Sequence, residues 1–323
     1  MALLIDSGWL VLGLVALYFG AEWLVNGASK GAVKYGVSPL VVGLTVVAFG
    51  TSAPELFVSI GFNFGGSPDM AIGNVVGSNI CNIALVMGVS AFICVLTVKS
   101  ELLLRDLPVA LVATIGFSWM LFNGNVGRIE GGILFGSVIA YTYYQLIIAR
   151  KVKNPEVLEE FEEGLDLEDA ECEPLWKLIF LVLAGLVVLY LGAEALKTGG
   201  VGLAKSFGVP EAVIALTLIA FSTSVPELAT SVIASLRKEG DIIIGNVIGS
   251  CIFNILCVVG ATAILKPLPV SQINPVDIWV MLGLTTILIP IMWSNRRVSR
   301  WEGGFLLVIY AVYCVNLWKT SGV

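Results

Sequence analysis

The chain has 323 residues, 57% of them hydrophobic and only 13% charged, with 18 basic and 24 acidic side chains, a formal charge of −6 and a mean hydropathy of +0.94. So apolar a composition excludes a soluble two-domain protein and gives no sign of a nucleic-acid partner; it reads as an all-α polytopic membrane protein in a lipid bilayer. There is no histidine, so the usual proton carrier near neutral pH is missing and any proton chemistry falls to carboxylates.

In chain order, the first apolar run covers about 8–26. No basic segment precedes it and Asp6 is its only early charge, so it reads as a retained span and not a cleaved leader. Further spans follow at about 37–64, 70–97, 106–122 and 129–148, then a polar stretch at 149–176, then five more at 177–196, 209–236, 242–265, 276–293 and 302–318. Residues 153–174 hold ten acids against one lysine, and a charge run of this kind reads as a solvated linker. Cys81, Cys94, Cys172, Cys251, Cys257 and Cys314 lack paired spacing and sit mostly in apolar runs, as packing residues do.

The second five spans repeat the first. Residues 20–88 and 192–260 agree at 31 of 69 positions without a gap, at a constant offset of 172. An odd number of spans per copy sends the second copy into the membrane from the opposite side, which predicts ten transmembrane helices as two inverted five-helix repeats, 1–148 and 177–323, joined by the linker 149–176. Thirteen of the 18 basic residues fall in the loops after spans 1, 3, 5, 7 and 9. By the positive-inside rule the linker is then cytoplasmic and both termini are extracellular.

Each repeat plants one glutamate in an apolar run, Glu55 at the end of Thr45–Glu55 and Glu227 at the end of Thr217–Glu227. Ionisable groups at membrane depth cost about 2.5–3.5 kcal/mol each on insertion scales, and their default reading is an ion or proton pathway. Pro54 and Pro226 lack an N–H, so the carbonyls of Gly50 and Ser222 lose their helical partners next to the carboxylates. Ala48, Ser52 and Glu55 share one helix face, as do Ala220, Ser224 and Glu227. In each case hydroxyl and carboxylate are expected to point the same way. The following spans add Asn74, Ser78 and Asn82, matched by Asn246, Ser250 and Asn254, with Gly73, Gly77, Gly245 and Gly249 beside them for close helix approach. Carboxylate, carbonyl, hydroxyl and amide oxygens suit Ca²⁺, Mg²⁺ or Na⁺, and a flexible cage with two carboxylates suits Ca²⁺ best. Two like charges in one dry site cannot both stay ionised without a compensating cation or proton, which is the logic of exchange. An intramembrane hydrolase using the two glutamates as acid and base fits these surroundings poorly, so transport without catalysis or cofactor is expected.

The sequences Gly50-Thr-Ser-Ala-Pro-Glu55 and Gly73-Asn-Val-Val-Gly-Ser-Asn-Ile-Cys-Asn82, with their partners Ser222-Thr-Ser-Val-Pro-Glu227 and Gly245-Asn-Val-Ile-Gly-Ser-Cys-Ile-Phe-Asn254, resemble the paired repeats of the cation/calcium exchanger superfamily, in particular its prokaryotic sodium/calcium exchangers. The resemblance implies that Glu55, Glu227 and the backbone oxygens of Thr51 and Thr223 hold Ca²⁺. It also implies sodium sites at Ser52, Ser78, Ser224, Ser250 and the carbonyls of Ala48 and Ala220, with spans 1 and 6 sliding across the other eight. Two positions depart from the pattern. Asn254 stands where the archaeal pattern has an acid, giving an Asn82/Asn254 pair, and Ser222 stands where it has Gly. The resemblance makes Na⁺ the expected counter-ion, and having one acid fewer makes H⁺ the alternative, ahead of a K⁺-dependent exchanger or a Ca²⁺ channel.

Glu22 and Glu194, near the ends of spans 1 and 6, are expected to form structural pairs. Asp69 and Asp241 are expected to be interfacial caps.

Overall fold

The computed structural model describes residues 2–151, 173–207 and 220–320. Among them nine helices are long and apolar enough to cross a membrane. In the first repeat these are α1 (Ala2–Tyr35), α2 (Pro39–Phe64), α3 (Pro68–Ile93), α4 (Leu102–Phe122) and α5 (Arg128–Lys151). In the second they are α6 (Leu175–Ser206), α8 (Gly240–Leu265), α9 (Pro275–Trp293) and α10 (Arg300–Thr320). The tenth span, predicted over 209–236, is described from Ala220–Thr223 through helix α7 (Val225–Leu236). The predicted linker 149–176 lies outside the described residues except at its two ends.

α1 and α6 run well beyond the spans expected at 8–26 and 177–196. Hydropathy stops where charges begin, whereas the helical hydrogen-bond ladder continues through Lys30, Lys34, Lys197 and Lys205. At about 1.5 Å per residue the 34 residues of α1 reach about 51 Å, far more than a ~30 Å hydrocarbon core.

These two helices cross antiparallel along a seam of glycines. Gly13, Gly20 and Gly27 recur every seven residues, and Gly185, Gly192 and Gly199 repeat the spacing in α6. A Cβ on Gly20 would lie 2.7 Å from the Leu189 backbone nitrogen, and one on Gly185 would lie 2.7 Å from that of Leu24. Only a missing side chain lets the backbones come so close, and a seven-residue repeat keeps the small residues on the contact line as the helices coil.

The interior is built on α3 and α8. Every residue of the apolar window of α8 is buried, whereas α1 and α10 turn Leu4, Leu14, Trp301 and Val312 outward, as lipid-facing helices do. Two short antiparallel ladders clasp the repeats together. β1 (Leu96–Thr97) pairs with β4 (Arg297–Val298), and β2 (Asn125–Val126) pairs with β3 (Leu268–Pro269). Each ladder joins one strand from each repeat, and the 172-residue offset turns one ladder into the other.

In each repeat a tyrosine–aspartate bond joins the fourth and fifth spans; the tyrosines are counterparts at the offset of 172, the aspartates are not. Buried Asp106 accepts hydrogen bonds from Tyr141 Oη at 3.1 Å and Gln145 Nε2 at 2.5 Å, and Arg105 Nη2 lies 3.0 Å away. In the second repeat Tyr313 Oη donates to Asp277 at 3.1 Å. Arg105 balances the charge of Asp106, as a buried carboxylate requires.

Candidate ion-binding site

The proline in α2 breaks the span at a serine. The helix stops at Thr51, Ser52 takes φ −85° and ψ 2°, and a new helical segment starts at Ala53 with Pro54 in its first turn. In the second repeat Ser224 adopts φ −91° and ψ 2° ahead of Val225 and Pro226. Both serines stand where an N-cap would, yet neither side chain caps its helix. Their hydroxyls cross to the other repeat. Ser52 Oγ donates to Glu227 Oε1 at 3.1 Å, and Ser224 Oγ donates to Glu55 Oε1 at 3.4 Å. Periodicity places each serine on the face of its own span's glutamate; the partner its hydroxyl takes is the glutamate of the other repeat, which periodicity within one helix does not foretell.

Glu55 and Glu227 sit in the first turns of these new segments, fully buried, where the helix dipole favours a carboxylate. Ser78 Oγ adds a bond to Glu55 Oε1 at 3.3 Å. The threonine hydroxyls cross over as well, Thr51 Oγ1 to Asn246 Oδ1 at 3.2 Å and Thr223 Oγ1 to Asn74 Oδ1 at 3.3 Å. Each asparagine then donates to a serine one turn beyond the glutamate, Asn74 to Ser59 at 3.1 Å and Asn246 to Ser231 at 3.2 Å. Ser59 and Ser231 were missed as site residues, although the offset of 172 links them. The carbonyl of Ala48 accepts the N–H of Ser52 at 3.0 Å, and Ser224 N–H donates to the carbonyl of Phe221 at 3.0 Å.

At the Asn82 and Asn254 positions α3 and α8 widen into π-helical turns, Cys81–Val86 and Asn254–Val259. Such insertions are common at functional sites and follow no simple sequence pattern. They accompany a group of buried polar atoms with no hydrogen-bond partner among the described residues: Glu55 Oε2, Glu227 Oε2, both amide atoms of Asn82, Asn254 Oδ1 and Ser250 Oγ. A buried orphan oxygen costs about 1–3 kcal/mol, and five of these six atoms are oxygens, a set that a cation would satisfy. All the oxygens among them are hard donors.

Of the glycines expected to admit close neighbours, Gly245 and Gly249 do so. A Cβ on either would come within 2.7 Å of Leu40 O or Ala48 Cβ respectively. Around Gly73 and Gly77 no described atom lies within 4 Å; residues 212–219, the counterparts of 40–47, lie outside the described residues. Glu22 pairs with Arg237, and Glu194 with Lys197 at 2.5 Å. Asp69 accepts from Ser271 and Gln272 backbone N–H groups at 2.9 and 3.1 Å, and Asp241 pairs with Lys99 at 2.8 Å. Among the described residues Glu22, Asp69 and Asp241 therefore tie helices to loops or helix ends, whereas the Glu194–Lys197 pair lies within α6. Cys81, Cys94, Cys251, Cys257 and Cys314 are free thiols, and Cys81 and Cys251 are buried.

The model of the sodium/calcium exchanger protein family matches residues 6–147 and 177–319, which is both repeats. The chain belongs to the sodium/calcium exchanger family. With that membership comes cation/Ca²⁺ antiport across a membrane in the broad sense. The exchanger is 34% identical to the putative antiporter CaxA of Alkalimonas amylolytica over 96% of its own length and 98% of that protein. It is 32% identical to the sodium/calcium exchanger MaX1 of Methanosarcina acetivorans, over 95% and 97% of the two chains. Its fold matches the sodium-calcium exchanger NCX_Mj, solved after soaking with Na⁺ and Sr²⁺, with a TM-score of 0.82 at 30% identity, covering 96% of this chain and 97% of that one.

Proposed function

We propose that this exchanger exports Ca²⁺ in exchange for Na⁺ by alternating access at the Glu55/Glu227 site. The observation that carries the reading is the crossed arrangement of two buried glutamates, each held by the other repeat's serine and each keeping one oxygen without a partner. Ca²⁺ neutralises the pair. Na⁺ ions do the same at the neighbouring oxygens of Thr51, Ser52, Ser78, Thr223, Ser224, Ser250, Ala48 and Ala220, with Asn82 and Asn254 flanking. No chemical step is assigned to the site. The termini lie outside the cell and the 149–176 linker in the cytoplasm.

In proteoliposomes loaded with Na⁺, an outward sodium gradient should drive ⁴⁵Ca²⁺ uptake. Uptake driven only by a pH gradient would move the assignment to Ca²⁺/H⁺ exchange, which two carboxylates and a neutral Asn254 also balance. A requirement for K⁺ would indicate a K⁺-dependent exchanger, and uptake indifferent to every counter-ion gradient would indicate a channel.

A further inference from the structure

Asn254 has its oxygen among the orphan atoms of the site while its nitrogen is occupied, and the source of that orientation lies outside the glutamate and serine set. Asn254 Nδ2 donates to Asn79 Oδ1 at 3.2 Å. Asn79 Nδ2 in turn approaches Met281 Sδ at 3.9 Å. The three side chains come from α8, α3 and α9 and are all buried.

The two ends of a carboxamide have nearly the same shape, so the chemistry of its partner decides which way round it sits. A thioether sulfur can only accept. If Asn79 were reversed, its oxygen would face the sulfur lone pairs and its NH₂ would face Asn254. Asn254 would then have to reverse too, turning an NH₂ group toward the site. A cation site that presents NH₂ in place of a carbonyl oxygen loses a ligand and gains a repulsive dipole.

We propose that Asn79 and Met281 are positioning residues that fix the polarity of Asn254, so that it offers its oxygen to the transported cation. The proposal rests on the ion site assigned under Proposed function. The relay exists in one repeat only. The counterparts of Asn79 and Met281 are Cys251 and Val109, and both amide atoms of Asn82 lack partners among the described residues. Asn82 can therefore turn either end to the site, whereas Asn254 has its nitrogen engaged and its oxygen left free.

The test compares Ca²⁺ KM and maximal rate in proteoliposomes for wild type, Asn79→Leu, Met281→Leu, Asn254→Asp and the double variant Asn79→Leu/Asn254→Asp. Losing the hydrogen bond that orients Asn254 should raise the Ca²⁺ KM of Asn79→Leu by about tenfold with maximal rate held within about twofold. Met281→Leu keeps the volume but removes the acceptor, and should shift KM about two- to threefold in the same direction. A carboxylate shows oxygen whichever way it turns, so Asn79→Leu in the Asn254→Asp background should change KM by less than about twofold. If Asn79→Leu does not fold, an unchanged KM in Met281→Leu overturns the proposal by itself. An unchanged KM in Asn79→Leu, or an equal shift in both backgrounds, also overturns it and leaves the site assignment standing. Absence of saturable Ca²⁺ uptake in the wild type would instead overturn the site assignment, and the relay with it.

Discussion

Glu55 and Glu227 each have one oxygen bonded to a serine of the opposite repeat and one without a partner. At the proposed ion site, Glu55→Gln or Glu227→Gln would remove a charged ligand and should lower Ca²⁺ uptake by about 100-fold or more. The crossed serines make a finer prediction. In melting temperatures of the purified protein, Ser52→Ala should combine less than additively with Glu227→Gln and additively with Glu55→Gln. Coupling to Glu55 in place of Glu227 would overturn the crossed arrangement. The crossing was not legible from one helix's periodicity. Glu55, Ser52, Asn82 and their copies were legible because polar atoms at membrane depth are costly and the duplication printed them twice. Periodicity assumes a continuous helix, however, and Ser52 at ψ 2° ends one. Asn79 and Met281 were not legible at all, since neither has a copy at the offset of 172 and their roles depend on three helices meeting.

At the scale of helices, α1 is fastened in two ways. Along its length it is packed glycine to backbone against α6. Gly20→Leu forces a side chain into the Leu189 backbone and should cost about 1–3 kcal/mol of overpacking, seen as a lowered melting temperature and less folded protein. Gly8→Ala, with no atom within 4 Å of the added Cβ, should leave both unchanged. At one end α1 is tied to the segment between α7 and α8, where Ser29 donates to Glu239 and Glu22 pairs with Arg237. The counterparts of Arg237 and Glu239 in the first repeat are Gly65 and Ser67, so the charged tie is not duplicated. Burial raises the Glu239 pKa from its usual 4.5 to about 7, against lowering by the Ser29 hydroxyl and the Arg237 charge, with Glu22 adding to the rise. A raised carboxylate pKa means that the folded chain holds the proton more tightly than the unfolded one. The favourable contribution is complete below pH 4.5 and is lost as pH rises through about 7. Between pH 5.5 and 8 the melting temperature should fall by roughly 3 °C, and Glu239→Gln should flatten that slope. A slope unchanged in the variant would place its origin elsewhere. The helix count and order were readable from hydropathy; the true lengths of α1 and α6 were not, because a helix does not end where its apolar run does.

For the whole molecule, the repeats meet through α1 against α6, α8 against α2 and α5, α10 against α3, the two strand ladders and the crossed hydroxyls at the centre, with 152–172 outside the described residues. The acidic stretch is expected to act as a tether, and the closure free energy of a tether changes only slowly with its length. Deleting 155–172 should therefore leave Ca²⁺ flux within about twofold of wild type. Flux lost while the protein still reaches the membrane would give the acidic segment an active part.

The seam of Gly13, Gly20 and Gly27 against Gly185, Gly192 and Gly199 has the same surface on both sides, offset by 172 positions and turned over in the membrane. It is an isologous contact folded into one polypeptide. A side chain added on one face must be tolerated by a face of the same design, so neither helix can change its glycines independently. It also means that a half-length chain able to insert in both orientations already carries, in its first helix alone, the complementary surface for its own inverted copy.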